Sequence, residues 1–189
     1  TILVGSVILI ASAIFIKDKP RKPSHKPGRR FKVLWKGLYI VGTNSQVILS
    51  GVIGAALFMP TLIFSGFWGR PFFEQIYHAD PMIASLMTSL VFWGWIVGGP
   101  IVGYIATTFY RKRFVIALGS VVCALILLKL VYFSVTTFFE IYFLMFLLGL
   151  FSSVQILVFS IAAEHTPKHY TATAVAVVNM IVMSAGFLQ

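Results

Sequence analysis

Acidic residues are scarce in this chain: five Asp and Glu stand against fifteen Lys and Arg in 189 residues, giving a formal net charge of +10. Charged residues of both signs make up only 11% of the sequence, while 59% is hydrophobic and the mean hydropathy is +0.94. So apolar a chain does not hide its side chains in one water-soluble core, which excludes an ordinary soluble domain and demands a bilayer. Cysteine is nearly absent as well. Cys123 stands alone in an apolar run, which says nothing about disulfides and reads as a small packing residue. No HExxH is present, and Glu164-His165-x-x-x-His169 surrounds Pro167 at a helix end and reads as a capped, solvated loop rather than a metal site. Every glycine cluster lies in an apolar run without the Lys-Ser/Thr of a phosphate-binding loop. No nucleophile sits with a base. We therefore expect no enzyme, no metal, no cofactor and no nucleic-acid partner.

What the chain has instead is long uncharged runs near the roughly 20 residues that cross a bilayer. They are Thr1–Ile16, Leu38–Trp68, Met82–Phe109, Phe114–Phe133, Thr137–Ala163 and Thr171–Gln189. The fold class expected is an all-α, polytopic transmembrane bundle of six segments. The first is about 24 Å long at 1.5 Å per residue, short of a full crossing. Its charges follow the apolar run, unlike those of a signal peptide. With Thr1 opening the chain and no polar flank at Gln189, both ends read as cut from a larger protein.

Between Ile16 and Gly37 fall Lys17, Lys19, Arg21, Lys22, Lys26, Arg29, Arg30, Lys32 and Lys36, together with Pro20, Pro23 and Pro27. Lys- and Arg-rich loops beside membrane helices stay on the cytoplasmic side. Successive spans reverse direction, so the 17–37, 110–113 and 164–170 loops are all expected to be cytoplasmic. Arg111, Lys112, Arg113 and Lys168 then join the inside charge, and only Arg70 and Lys129 remain elsewhere, Lys129 snorkelling outward from near its helix end. Three regions follow: residues 1–16 as the end of a membrane helix, 17–37 as a basic Pro-rich linker, and 38–189 as a bundle of five spans lacking its last helix. Within the linker, Phe31–Lys36 alternates bulky apolar residues with lysine, which suits a helix lying in the headgroup region. In the loop between the second and third segments, Asp80-Pro81 reads as a helix start.

The third segment carries Gly94/Gly98 and Gly99/Gly103, two small-residue frames that allow close helix approach, with Pro100 set to bend the helix between them. Polar groups within hydrocarbon are few. Gln155 and Asn179 are the main candidates for a cavity wall, with Ser89 and Trp93 beside them, because an amide in lipid needs protein or water as its partner. An interhelical hydrogen bond is the competing reading of each amide. Glu140, about 8 Å from its helix start at 1.5 Å per residue, is the candidate for proton coupling.

The stretch Gly103-Tyr-Ile-Ala-Thr107-Thr108-Phe-Tyr110-Arg111-Lys112-Arg113 resembles the helix-loop signature of major facilitator superfamily transporters. In that signature a Gly is followed four residues later by Asp, then Arg, then Gly and a basic pair. Gly103, Arg111 and Lys112 match, whereas Thr107 replaces the Asp, Thr108 the Arg and Tyr110 the second Gly. The runs WGRPFFEQIYHADP, FWGWIVGGPIVGY and AAEHTPKHYTATAVAVVNMIVMSAGFLQ are similar to the second half of bacterial members, with Glu164, Pro167, Thr173, Ala174, Asn179 and Met180 at the matching places. The resemblance implies that the six segments are the sixth to eleventh helices of a twelve-helix transporter. It also implies alternating access of a small solute, coupled to an ion such as the proton, through a site shared with an N-terminal half, in a bacterial inner membrane. Thr107, Arg111, Lys112 and Arg113 would then belong to a gating loop, with the acid of the charge latch replaced. A channel and a membrane scaffold or sensor are the rival readings.

Overall fold

The computed structural model describes residues 5, 6, 12, 14, 15, 27–109, 111–133 and 137–188. The expected first span and the linker up to residue 26 lie outside the described residues, apart from the isolated positions just named. Contacts divide the chain into Thr1–Trp35 and Lys36–Gln189. The second unit is the bundle that carries the candidate site. All regular structure among the described residues is helical.

Helix α1 spans Pro27–Gly42. Near its end Val41 is fully buried, and Gly37 lies so close to Tyr170 that a Cβ there would meet the ring at 3.0 Å. The chain breaks at Thr43-Asn44, where the Asn44 side chain accepts a 3.0 Å hydrogen bond from the Gln46 N–H and caps α2, Ser45–Thr61. The apolar run from Leu38 to Trp68 is thus two helices rather than one, because a capping Asn ends one backbone ladder and starts another. Past Pro60, which removes a backbone donor, the chain widens into a π turn over Leu62–Phe67. The short α3, Gly69–Ile76, folds back at Gly69, where any Cβ would overlap the Phe64 carbonyl. Phe64, Phe72, Phe73 and Tyr77 pack ring on ring with centroids 5.4–6.5 Å apart.

Helix α4, Pro81–Phe109, starts at the Asp80-Pro81 step. Then come α5, Lys112–Tyr132, and α6, Phe138–Ser152, with Thr137 as N-cap of α6. A 3-10 turn at Ser153–Gln155 separates α6 from α7, Ile156–Glu164. A second such turn, Lys168–Tyr170, leads into α8, Thr171–Ser184. Five stretches are long and apolar enough to cross a membrane: Ser45–Phe67, Pro81–Thr108, Lys112–Tyr132, Phe138–Glu164 and Lys168–Phe187.

The spans run antiparallel, and contacts between their ends fix which loops share a side. At one end Asn44 Nδ2 donates to the His165 carbonyl at 2.8 Å, and Lys112 pairs with Glu164. At the other, the Tyr77 hydroxyl meets the Leu130 carbonyl at 3.5 Å and Lys129 pairs with Glu140. The starts of α2 and α5 and the end of α7 therefore share one end, here called the basic end. Two apolar cores fill the bundle. Toward the basic end Val47, Val102, Ile116, Val158, Ala162 and Val178 pack together, and toward the other Phe73, Met87, Leu130, Ile141 and Met145 do so.

Candidate functional site

The tightest seam joins α4 to α6. A Cβ on Gly94 would overlap the Phe146 carbonyl and stand 2.6 Å from the Leu150 nitrogen, and one on Gly149 would overlap the Val91 carbonyl. Gly98 lies against the Leu150 carbonyl and the Ser153 hydroxyl. The other frame behaves differently, since a Cβ on Gly99 would meet only Ile156 Cδ1, at 3.4 Å, and one on Gly103 would meet nothing within 4 Å. Pro100 is exposed, and α4 continues through it. Gly149 was not marked by any motif in the sequence, and neither were Gly51 and Gly54, which bring α2 onto Ile181, Val158 and Val182.

Where the seam ends, between the two cores, the helix made by α6 and α7 tightens into its 3-10 turn. Ser152, Ser153 and Gln155 are all buried there. Ser153 donates to the Leu150 carbonyl at 2.6 Å, and Ser152 lies 3.5 Å from the Cys123 sulfur. Gln155 is only 4% exposed and makes no side-chain hydrogen bond with another described residue. A 3-10 turn inside a span is a frequent hinge position, since it interrupts the α ladder.

The other cavity candidates are placed apart from Gln155 in character. Asn179 and Trp93 are exposed, and half-buried Ser89 spends its hydroxyl on the Leu86 carbonyl at 2.8 Å. Trp95, two residues on from Trp93, is the indole turned into the bundle. Its Nε1 donates to Thr61 Oγ1 at 3.0 Å, and its ring meets Phe58 edge to face at 6.3 Å. The sequence held the signal, because Gly94 and Gly98 set the buried face and Trp95 lies nearer to it than Trp93 at 100° per residue.

At the basic end Lys112 donates to Ser160 Oγ at 2.7 Å and pairs with the Glu164 carboxylate, tying the first turn of α5 to the last turns of α7. Lys112 is one-fifth exposed at its side chain and Glu164 more than half. Around them opens a cleft of about 540 Å³ walled by Thr107, Arg111, Arg113 and His165. Thr107, in the place of the signature acid, bonds carbonyls of its own helix, Tyr104 at 2.8 Å and Gly103 at 3.1 Å. The loop's reach across the bundle thus comes from Lys112, and its acid partner lies on α7. At the opposite end Thr137 caps α6 and Glu140 takes Lys129 as its partner across the α5–α6 connection. Among the described residues, no three His, Cys, Asp or Glu side chains converge as a metal set.

The family model of the Major Facilitator Superfamily matches residues 1–189. The chain belongs to this superfamily. As a member it is a multi-pass membrane protein and a transporter, its spans lie in a lipid bilayer, and its all-helical bundle is of the superfamily's type. No curated protein and no solved structure matches the chain. Arg111, Lys112 and Arg113 stand at the junction of α4 and α5, and Glu164 and Ser160 are the partners of Lys112.

Proposed function

We propose that the chain belongs to a secondary transporter of a bacterial inner membrane that moves a small solute by alternating access, driven by an ion gradient, with the proton as the coupling ion. The observation that carries this reading is the Lys112–Ser160–Glu164 tie, an ion pair between spans at the signature loop. An ion pair between two helix ends can be made in one state of the cycle and broken in the other, which is what a gate needs. In this reading the basic end faces the cytoplasm, as the Lys and Arg bias requires.

Gln155, 4% exposed beside the 3-10 turn, is the polar group offered to a solute from this half. Asn179, Trp93 and Ser89 line the same path only where an N-terminal half of the same protein covers α4 and α8. Glu140 is the candidate proton carrier, and its pair with Lys129 then opens once per cycle. No covalent chemistry is involved, and the partners are lipid, solute and proton.

The test is uptake into proteoliposomes carrying the full-length protein, screened over amino acids, carboxylates and osmolytes. Accumulation that an uncoupler abolishes is the expected result. Passive single-channel currents would replace the transporter with a pore, and ligand-stabilised melting without flux would replace it with a sensor. Glu140→Gln is expected to lose accumulation while keeping counterflow exchange. Uncoupler-sensitive accumulation that survives in this variant removes Glu140 from the coupling path.

A further inference from the structure

On the flank of the bundle near the basic end, where α4 passes into α5, an apolar groove of about 420 Å³ lies between the two helices. Ile101 and Ile105 form one wall, Phe114 and Leu118 the other, and Leu150 and Val154 the floor. The floor is fixed, since Val154 packs so closely on Gly119 of α5 that a Cβ there would stand 2.6 Å away. The walls are open: Ile101 is 43% exposed, Leu118 50% and Phe114 64%. From Phe114 to Gly119 the groove follows α5 for roughly 8 Å along its axis. Further along the same helix Val121, Leu125 and Leu128 are exposed, so the groove continues into a wholly apolar flank.

Among the described residues only one that lines the groove is charged, and it stands at the mouth. Arg111 lines both this groove and the polar cleft beside it, where Arg113 and Thr107 also lie. Glu164, the one acid among the described residues of that cleft, is taken by Lys112. The guanidinium groups of Arg111 and Arg113 have no ion-pair or hydrogen-bond partner among the described residues. A hydrocarbon-shaped channel that ends at an unpaired guanidinium is complementary to an amphiphile with an anionic head. Arginine's planar fork takes a phosphate in two hydrogen bonds, which ammonium does not.

We propose that this groove holds an acidic phospholipid, its phosphate on Arg111 with Arg113 nearby and one acyl chain laid between Ile101, Ile105, Phe114 and Leu118. The lipid belongs to the leaflet at the basic end, so the site joins membrane composition to the loop that carries Lys112. Binding there braces the start of α5 in the position that keeps Lys112 against Glu164.

The test uses the full-length protein in phosphatidylcholine vesicles doped with phosphatidylglycerol that carries a diazirine in its acyl tail. The same tail on phosphatidylcholine is the control. After photolysis, labelled peptides are mapped. Phosphatidylglycerol is expected to label Ile101–Ile105 and Phe114–Leu118 about five-fold more than the control, the ratio that one cation near an anionic leaflet supplies. Arg111→Gln should remove most of that preference, Arg111→Lys should keep part of it, and Leu118→Trp, which fills the groove, should lower labelling by both lipids. Size-exclusion elution like that of the unaltered protein certifies the fold of each variant. Equal labelling by the two lipids, or a preference that survives Arg111→Gln, means ordinary annular lipid and overturns the proposal. Labelling confined to Val121–Leu128 means that another helix covers the groove, and overturns it equally.

Discussion

Gly94/Gly98 and Gly99/Gly103 are the same motif on the same helix, five residues apart, yet one is closed by a neighbouring backbone and the other is open. The first frame faces α6, where Phe146, Leu150 and Gly149 approach to backbone contact. The second faces away, with a single isoleucine methyl near Gly99 and nothing at Gly103. A shift of five residues turns a helix by about 500°, or 140° from the starting face. Small residues state that a helix can come close, and the helix phase decides whether one does.

The sharpest way to break the closed frame is from its partner. Gly149→Leu or Gly94→Leu would drive a side chain into the Val91 or Phe146 carbonyl, and a backbone cannot move aside as a flexible side chain can. Overpacking typically costs about 1–3 kcal/mol and more where nothing yields, so the expected result is loss of folded protein. A monodisperse peak and a normal melting temperature for either variant would show that the seam is not as close as it stands here.

Gly98→Ala comes next in size. Its methyl would meet the Ser153 hydroxyl and, at 2.7 Å, the Leu150 carbonyl. A cost of about 1–2 kcal/mol in detergent melting is expected. Removing one of the two obstacles with Ser153→Ala should recover part of it, a coupling that a double-mutant cycle measures.

Gly103→Ala tests the open frame, and the sign reverses. With no neighbour within 4 Å, alanine relieves the helix of a glycine and should raise stability by about 0.5–1 kcal/mol. If the variant melts higher yet transports more slowly, then the open face is met by another part of the protein during the cycle. If melting falls, the face is already covered at rest.

The spans themselves were legible because hydrophobicity is a sum over many residues. Met82–Phe109 and Phe114–Phe133 in the sequence became Pro81–Phe109 and Lys112–Tyr132 in the fold. What a sum cannot see is a single hydrogen bond. The Asn44 cap divides Leu38–Trp68, and the 3-10 turn at Ser153–Gln155 divides Thr137–Ala163, without changing the hydropathy of either run. Partners were harder still. Arg111–Arg113 and Glu164–Tyr170 were placed on one side by the alternation of spans and by charge, but only packing chooses Lys112 among three cations and turns it to Glu164. Gly149, a lone glycine, carries no pattern until Val91 is found against it.

The smallest expected effect on stability is at the basic end, and there the effect on function should be the larger. Glu164 is more than half exposed, so its pair with Lys112 is worth about 0–1 kcal/mol in water-facing surroundings. Lys112→Met and Glu164→Gln should each shift melting by only a degree or two. A pair that forms in one state of the cycle does more than its size suggests, because 1 kcal/mol changes a two-state ratio about five-fold. Each single variant is therefore expected to change the uptake rate several-fold, and the exchange Lys112→Glu with Glu164→Lys to restore much of it by re-forming the pair with its ends swapped. Restored melting without restored uptake would leave the pair as surface decoration and move the gate elsewhere, toward the seam at Gly94 and Gly98. Restored uptake ties transport to an ion pair that stability measurements barely register.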